Sequence, residues 1–387
     1  MINISAALRW FPLVAHPRSA CRSLSGRIDQ LVATVRRARR TTGAEALTLA
    51  ATVHHQAAII ASDAGLVDLA RACCLQQLRL YRQVQPLDAG DARRALEPIV
   101  NLARLEIRAG KAEQGHQLLT GLLTAAQHDD QVDVAGHTID FDELLTPAAR
   151  PEIVRWLWTV LSADGTRALT TAGRWNEALT AVELHRGIGG RLLDGRQIAV
   201  IAHHLRGDTA TARELLATAK PAERWEHLVR RALGRLCDPV STKPLFSPAE
   251  LERAAPAADL VVFRTRLILT AADLSPASET ASLVQALNSD PALTGDAYAA
   301  RDVLSHPIAG DLSATLRARL RAAVASAGLD HSISRSQLRK LLDVVRHSEA
   351  TTIRNLAAAG GRSVQSTQRP PDGARTAGTG RPRAGAE

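Results

Sequence analysis

Four places in this chain carry the same local instruction. A glycine follows Ala or Arg at the end of a run of helix formers, and a second small residue stands five positions on. The pairs are Gly65 with Ala70, Gly110 with Gly115, Gly173 with Ala178 and Gly207 with Ala212. Glycine takes a left-handed backbone without a Cβ clash, so it ends an α-helix just past its last turn. The small residue then falls in the first turn of the following helix and lets it approach the preceding one closely. The pattern predicts helix pairs over Glu45–Ala64 and Val67–Val84, Asp91–Ala109 and Lys111–Gln127, Pro151–Ala172 and Arg174–His185, and Leu192–Arg206 and Thr209–Ala219. One such pair cannot cover its own apolar face, so successive pairs must stack on one another. The expected fold class is all-α. Hydrophobic residues make up 45% of the chain but aromatics only 3%, a balance that suits helices and leaves few of the residues that favour strands.

The rest of the chain divides around this array. Residues 1–43 read as a basic arm, broken by Pro12 and Pro17, followed by a helix over Ser25–Arg40. Residues 44–238 hold the array, with an acidic insertion over 128–150 expected as a solvated loop. Residues 239–256 are proline-rich and read as a linker. Residues 257–359 read as a C-terminal helical module without turn glycines, and 360–387 as a disordered basic tail with almost nothing apolar to bury.

The formal charge of +9 sits at the ends. Residues 1–40 contain eight Arg and one acid, and residues 360–387 five Arg and two acids, which leaves 35 basic and 36 acidic residues for the body. A near-neutral body argues against a duplex-binding face, and the scarcity of aromatics argues against a stacking surface for single strands. Nucleic acid is therefore not the expected partner. The four cysteines include no CxxC pair, and free thiols fit a reducing, cytoplasmic setting. No apolar run reaches the length of a membrane span.

Around Gly110 and Gly173 the chain resembles the tetratricopeptide repeat. Gly173 and Gly207 stand 34 residues apart, the period of that family. Asn101-Leu102-Ala103 occupies the place of its Asn-Leu-Gly, with Ala109-Gly110-Lys111 at family spacing. Asp164-Gly165 is followed by Ala172-Gly173-Arg174-Trp175 and Ala178. The likeness covers residues 45–236. It is similar to the degenerate arrays of actinobacterial regulators and biosynthetic-cluster accessory proteins. Spacings of 45 and 63 residues and the missing large aromatics depart from the family pattern.

The resemblance implies a right-handed α-solenoid with a concave groove lined by fixed positions of each first helix. Carried across, these are His55, Ile59, Val100, Asn101, Arg104, Ala163, Asp164, Arg167, Gln197 and Ile201, with Arg108, Asp194 and His204 at the rim. Such a groove would hold a peptide or protein segment, with Arg104, Arg108 and Arg167 placed for a carboxylate, because a guanidinium can make a two-point bond. The implied function is a non-catalytic interaction or regulatory adaptor. A ligand-responsive transcriptional regulator, with Ser334–Arg346 and Glu349–Ala359 as a helix-turn-helix pair, and a biosynthetic accessory protein are the alternatives.

Residues that could carry other chemistry do not meet its spacing rules. His185 to Gln197 contains three glycines before a helix start, but Leu192 stands where a dinucleotide loop needs glycine and no Lys-Ser/Thr pair follows. Its Arg186, Arg191 and Arg196 fit an inter-unit loop, with Arg186, Arg191 and Asp194 paired across units, or a contact at the groove edge. The pairs His54-His55 and His203-His204 lack a helical metal-ligand partner. Asp129 to Glu143 fails the calcium-loop pattern at Gln131 and Val134. No catalytic residue, cofactor or metal site is expected.

Overall fold

The computed structural model describes residues 3–240, 245–276 and 279–367, with side chains to residue 359. The described residues are mostly helical, with a single two-stranded hairpin. A short α1 (Ile4–Leu8) precedes α2 (Leu24–Arg40), α3 (Gly43–Asp63), α4 (Val67–Arg82), α5 (Ala89–Arg108) and α6 (Ala112–His128). After the hairpin come α7 (Phe141–Leu144), α8 (Arg150–Val160), α9 (Thr166–Thr171), α10 (Trp175–Leu184), α11 (Asp194–Leu205), α12 (Thr209–Ala217) and α13 (Arg224–Cys237). The remainder is α14 (Pro248–Ala254), α15 (Val261–Leu274), α16 (Thr280–Ser289), α17 (Ala297–Leu304), α18 (Ala314–Ser326) and α19 (Arg335–Thr367). From α2 to α6 each helix packs on the next in sequence, and α10, α11, α12 and α13 do the same.

The four glycines do what their spacing requires. Gly65, Gly110, Gly173 and Gly207 have φ of 74°, 81°, 74° and 83°. Each is followed by the same capping hydrogen bond, from the next N–H to a carbonyl five residues back: Leu66 to Ala61, Lys111 to Glu106, Arg174 to Leu169 and Asp208 to His203, all at 2.8–2.9 Å. This is the Schellman closure of a helix end. The partner residues Ala70, Ala178 and Ala212 are buried. At Gly115 a Cβ would lie 2.8 Å from the Ala103 carbonyl oxygen, so only glycine allows α5 and α6 to approach this closely.

The same turn recurs where no glycine pair predicts it. Asp129 and Arg186 take it at φ 56° and 51°, and Gly328 ends α18 at φ 72° with a bond from Leu329 to Val324. The helices beyond the linker therefore do include a turn glycine. Part of the linker is ordered: α14 opens on Ser247 with a reciprocal capping box to Glu250. The acidic insertion is a hairpin rather than a loop. Strand β1 (Gln131–Val134) pairs antiparallel with β2 (His137–Asp140), joined through Ala135 and Gly136 at φ 52° and 79°, the two-residue turn whose twist matches a hairpin. Val134, Ile139 and Phe141 anchor it in the core.

Two large apolar clusters form the interior, and the chain ends cross between them. The first gathers α2 to α8 together with Leu341, Val344, Val345 and Leu356 of α19. The second gathers residues of α9 to α18 together with Ala7, Phe11 and Leu13. The N-terminal arm is thus docked through its apolar side chains, with His16 to Ala20 left exposed. It lies across the second half, where α1 packs on α15 and the Asn3 N–H donates to the Asp273 carbonyl at 2.7 Å. Residues 257–359 are likewise not one module, since α19 packs on α2 and α3. There the buried Ser348 donates to the Ala50 carbonyl at 2.9 Å, and the Gly43 N–H donates to Asn355 at 2.8 Å. α19 runs unbroken from Arg335, so the helix-turn-helix pair of the alternative, regulator reading does not form. Residues 368–387 of the expected tail lie outside the described residues.

Candidate functional site

The groove positions divide into three groups. Val100, Gln197 and Ile201 are fully buried and cannot line a surface. The Gln197 amide is instead a brace: it donates to the carbonyls of Leu13 (2.7 Å) and Leu192 (2.8 Å), and its oxygen accepts from the Leu13 N–H (2.8 Å). His55, Ile59 and His204 are half-buried, and burial lowers the pKa of both histidines.

Arg104 is committed within the fold. Its Nε and Nη2 donate to Asp164 at 3.0 and 2.8 Å, and its Nη1 donates to Glu97 at 3.1 Å and to the buried Asn101 at 2.8 Å. Burial works against the charge, but Asp164 and Glu97 outweigh it and raise the guanidinium pKa. Asp164 reaches Arg104 from a π-helical turn, Leu161–Gly165, that joins α8 to α9. A single π turn of this kind shifts the facing of every side chain beyond it.

The loop before α11 is also internally braced. Arg191 donates to Glu223 (2.6 Å) and to the fully buried Glu226 (2.7 Å), and Arg196 donates to the carbonyls of Gly189 (2.6 Å) and Leu215 (2.5 Å) and to Thr218 (3.2 Å). Asp194 faces Arg167 at 3.6 Å. Arg186 is exposed at the end of α10.

Two of the three groove arginines, Arg108 and Arg167, meet in one open cavity of about 640 Å³ where the two halves and the N-terminal arm come together. The arm supplies Arg9, Trp10, Phe11 and Pro12. The end of α3 supplies Asp63, the end of α5 Arg108, α9 Arg167, α15 Arg266 and α17 Arg301, and His331 closes one side. The lining thus holds five arginines against one carboxylate. Its size is that of a pocket for a small ligand or a short side-chain group.

Asp63 organises the floor. Its side chain is 1% exposed and accepts from Arg27 (2.6 Å), from Arg108 and from the Tyr298 hydroxyl (2.7 Å). Burial and the adjacent Asp63 push the Tyr298 hydroxyl up to about 12, so it remains a donor at neutral pH. Three guanidiniums surround the Tyr298 ring: Arg301 at 5.3 Å, Arg108 at 5.7 Å and Arg18 at 5.9 Å from its centroid. Arg9 lies over Trp10 at 4.4 Å. Contacts of this kind attract a cation to the ring face without supplying it a carboxylate. Burial and the cations Arg266 and Arg167 lower the pKa of Arg18. Arg108 is paired with Asp63, Arg266 with Asp302 (2.8 Å) and Arg167 loosely with Asp194. No ion pair to Arg9, Arg18 or Arg301 is present among the described residues.

The sequence pattern missed Arg9, Arg18, Asp63, Arg266, Tyr298 and Arg301. One signal was available. An acid in the last turn of a helix opposes the helix dipole, so Asp63, the last residue of α3, needs a cationic partner to be stable there. Comparison with protein-family models, curated proteins and solved structures gave no match to this chain.

Proposed function

We propose that this chain is a non-catalytic binding protein that takes an acidic segment of a peptide or protein partner into the arginine-lined cavity. The observation that carries this reading is the surplus of cations there, with Arg9 and Arg301 facing the cavity without a carboxylate of their own. Like charges gathered in a concavity repel, and the cost is offset when an anion enters. Four of the five lining cations lie on helices of the fold, Arg108, Arg167, Arg266 and Arg301, which limits the ordering that accompanies binding. The frame itself reads as a right-handed solenoid of degenerate tetratricopeptide-like pairs. Support comes from four identical glycine turns and from consecutive helices packing on their neighbours.

The test is selection from a random peptide display library with the wild-type chain and with the charge reversal Arg167→Glu/Arg301→Glu. The expected result is enrichment of Asp/Glu-rich sequences by the wild type, weakened by salt and absent with the variant. Enrichment without acidic bias, or unchanged in the variant, refutes the reading.

A further inference from the structure

Resting on the cavity reading above, we propose that the cavity beside Tyr298 is a subsite for a phosphoryl dianion, lined by Arg9, Arg108, Arg266 and Arg301, with Arg18 adding its charge from its own contact on the Tyr298 ring. Two observations set the ligand chemistry. The first is charge. Arg108 and Arg266 have acidic partners, Asp63 and Asp302, whereas Arg9, Arg18 and Arg301 have no ion pair among the described residues. One carboxylate would neutralise only part of that excess. A phosphate monoester carries about 1.5 to 2 negative charges and pyrophosphate more.

The second observation is direction. The cations come from the N-terminal arm, α5, α15 and α17, so they converge from separate elements rather than along one edge. A carboxylate presents two oxygens in one plane and is satisfied by one bidentate guanidinium. A tetrahedral phosphoryl group presents three terminal oxygens in different directions and can use several guanidiniums at once. The rings of Tyr298 and Trp10 lie within cation–π distance of Arg301 and Arg9, which holds both cations at the cavity. The cavity of about 640 Å³ exceeds a phosphoryl group and leaves room for whatever carries it.

Isothermal titration of the full chain at fixed ionic strength tests this with pyrophosphate, malonate, a phosphoserine peptide and the same peptide with Glu in place of phosphoserine. Arg9→Gln/Arg301→Gln is the variant. The expected result is that pyrophosphate binds at least about tenfold more tightly than malonate, and the phosphoserine peptide likewise than the Glu peptide, since each charge-assisted hydrogen bond lost is worth roughly tenfold or more. The variant should lose this preference while unfolding at the same temperature as the wild type or higher, because two repelling charges have gone. That separates a lost site from a lost fold.

Binding of pyrophosphate alone identifies a free phosphate compound as the ligand and overturns the peptide reading. Binding of the phosphoserine peptide alone identifies a phosphorylated partner. Equal affinity for malonate and pyrophosphate and for the two peptides, or a preference retained in the variant, overturns the subsite and leaves an acidic-peptide cavity standing.

Discussion

The N-terminal arm builds one wall of the cavity, and one buried amide makes two of the hydrogen bonds that hold it there. Gln197 is fully buried and makes three hydrogen bonds at 2.7–2.8 Å, two of them to the backbone of Leu13. Gln197→Leu keeps the volume and removes all three. A buried hydrogen bond contributes about 0.5–1.5 kcal/mol net, and a stranded backbone group costs more. The two to Leu13 are the ones that hold the arm, and their loss should weaken its docking by about 1–3 kcal/mol, which raises the population of its open form roughly 5- to 150-fold.

Hydrogen exchange reads that population directly, because amides inside an opening segment exchange in proportion to it. The amides of Trp10 and Phe11 are bonded within the arm, to Ala7 and Leu8, so their exchange reports motion of the arm rather than the missing side chain. The expected result is that peptides covering residues 3–17 lose protection by roughly 5- to 150-fold, while α3 and α5 in the other half keep theirs. The reasoning is refuted if the arm exchanges at the wild-type rate in Gln197→Leu. It is equally refuted if protection falls uniformly over both halves, since Gln197 would then support the whole fold.

Three further outcomes follow from local geometry. Gly115→Val should separate α5 from α6 and destabilise the chain by about 2–4 kcal/mol in urea titration, because even a Cβ meets the Ala103 carbonyl oxygen at 2.8 Å. Ala135→Asn should instead stabilise by about 0.5–1 kcal/mol, since Ala135 sits at φ 52° and Asn tolerates that region better; an unchanged or lower denaturation midpoint counts against it. Burial pushes the thiols of Cys73, Cys74 and Cys237 up to about 11, 12 and 11 from an ordinary 9. The folded state therefore holds its thiol protons more tightly than the unfolded state. That contribution is fully present below pH 9 and is lost as pH rises through 9 to 12. Stability should be insensitive to these groups at pH 7–8 and fall above pH 9, and Cys73→Ala/Cys74→Ala should flatten the alkaline slope.

What was legible from sequence is what one residue or one turn decides. A glycine at the end of a helix-forming run needs only its own backbone freedom to close the helix, so Gly65, Gly110, Gly173 and Gly207 could be read without knowing their neighbours in space. Arg104 could not. Its position on α5 is the one the family resemblance gives, but its role depends on Asp164, sixty residues on and re-aimed by a π turn. The hairpin in the acidic insertion was hidden for a different reason. Its turn uses Ala135 at positive φ, a residue that carries no signal for that conformation.

The cavity was the least legible part, because charge counting locates a cation along the chain and not in space. Eight arginines in the first forty residues suggest a solvated arm. The weak counter-signal is the apolar pair Phe11 and Leu13, both buried against the far half of the molecule. Their burial fixes the arm and turns Arg9 inward, while Arg18 and Arg27 reach the Tyr298 ring and Asp63. Arg266 and Arg301 then meet them from more than two hundred residues away. The near-neutral body is therefore compatible with a local concentration of cations. Part of the surplus does not stay at an end; two buried apolar side chains and one glutamine amide help bring Arg9 and Arg18 to the cavity region, while Arg36, Arg37, Arg39 and Arg40 stay exposed on α2.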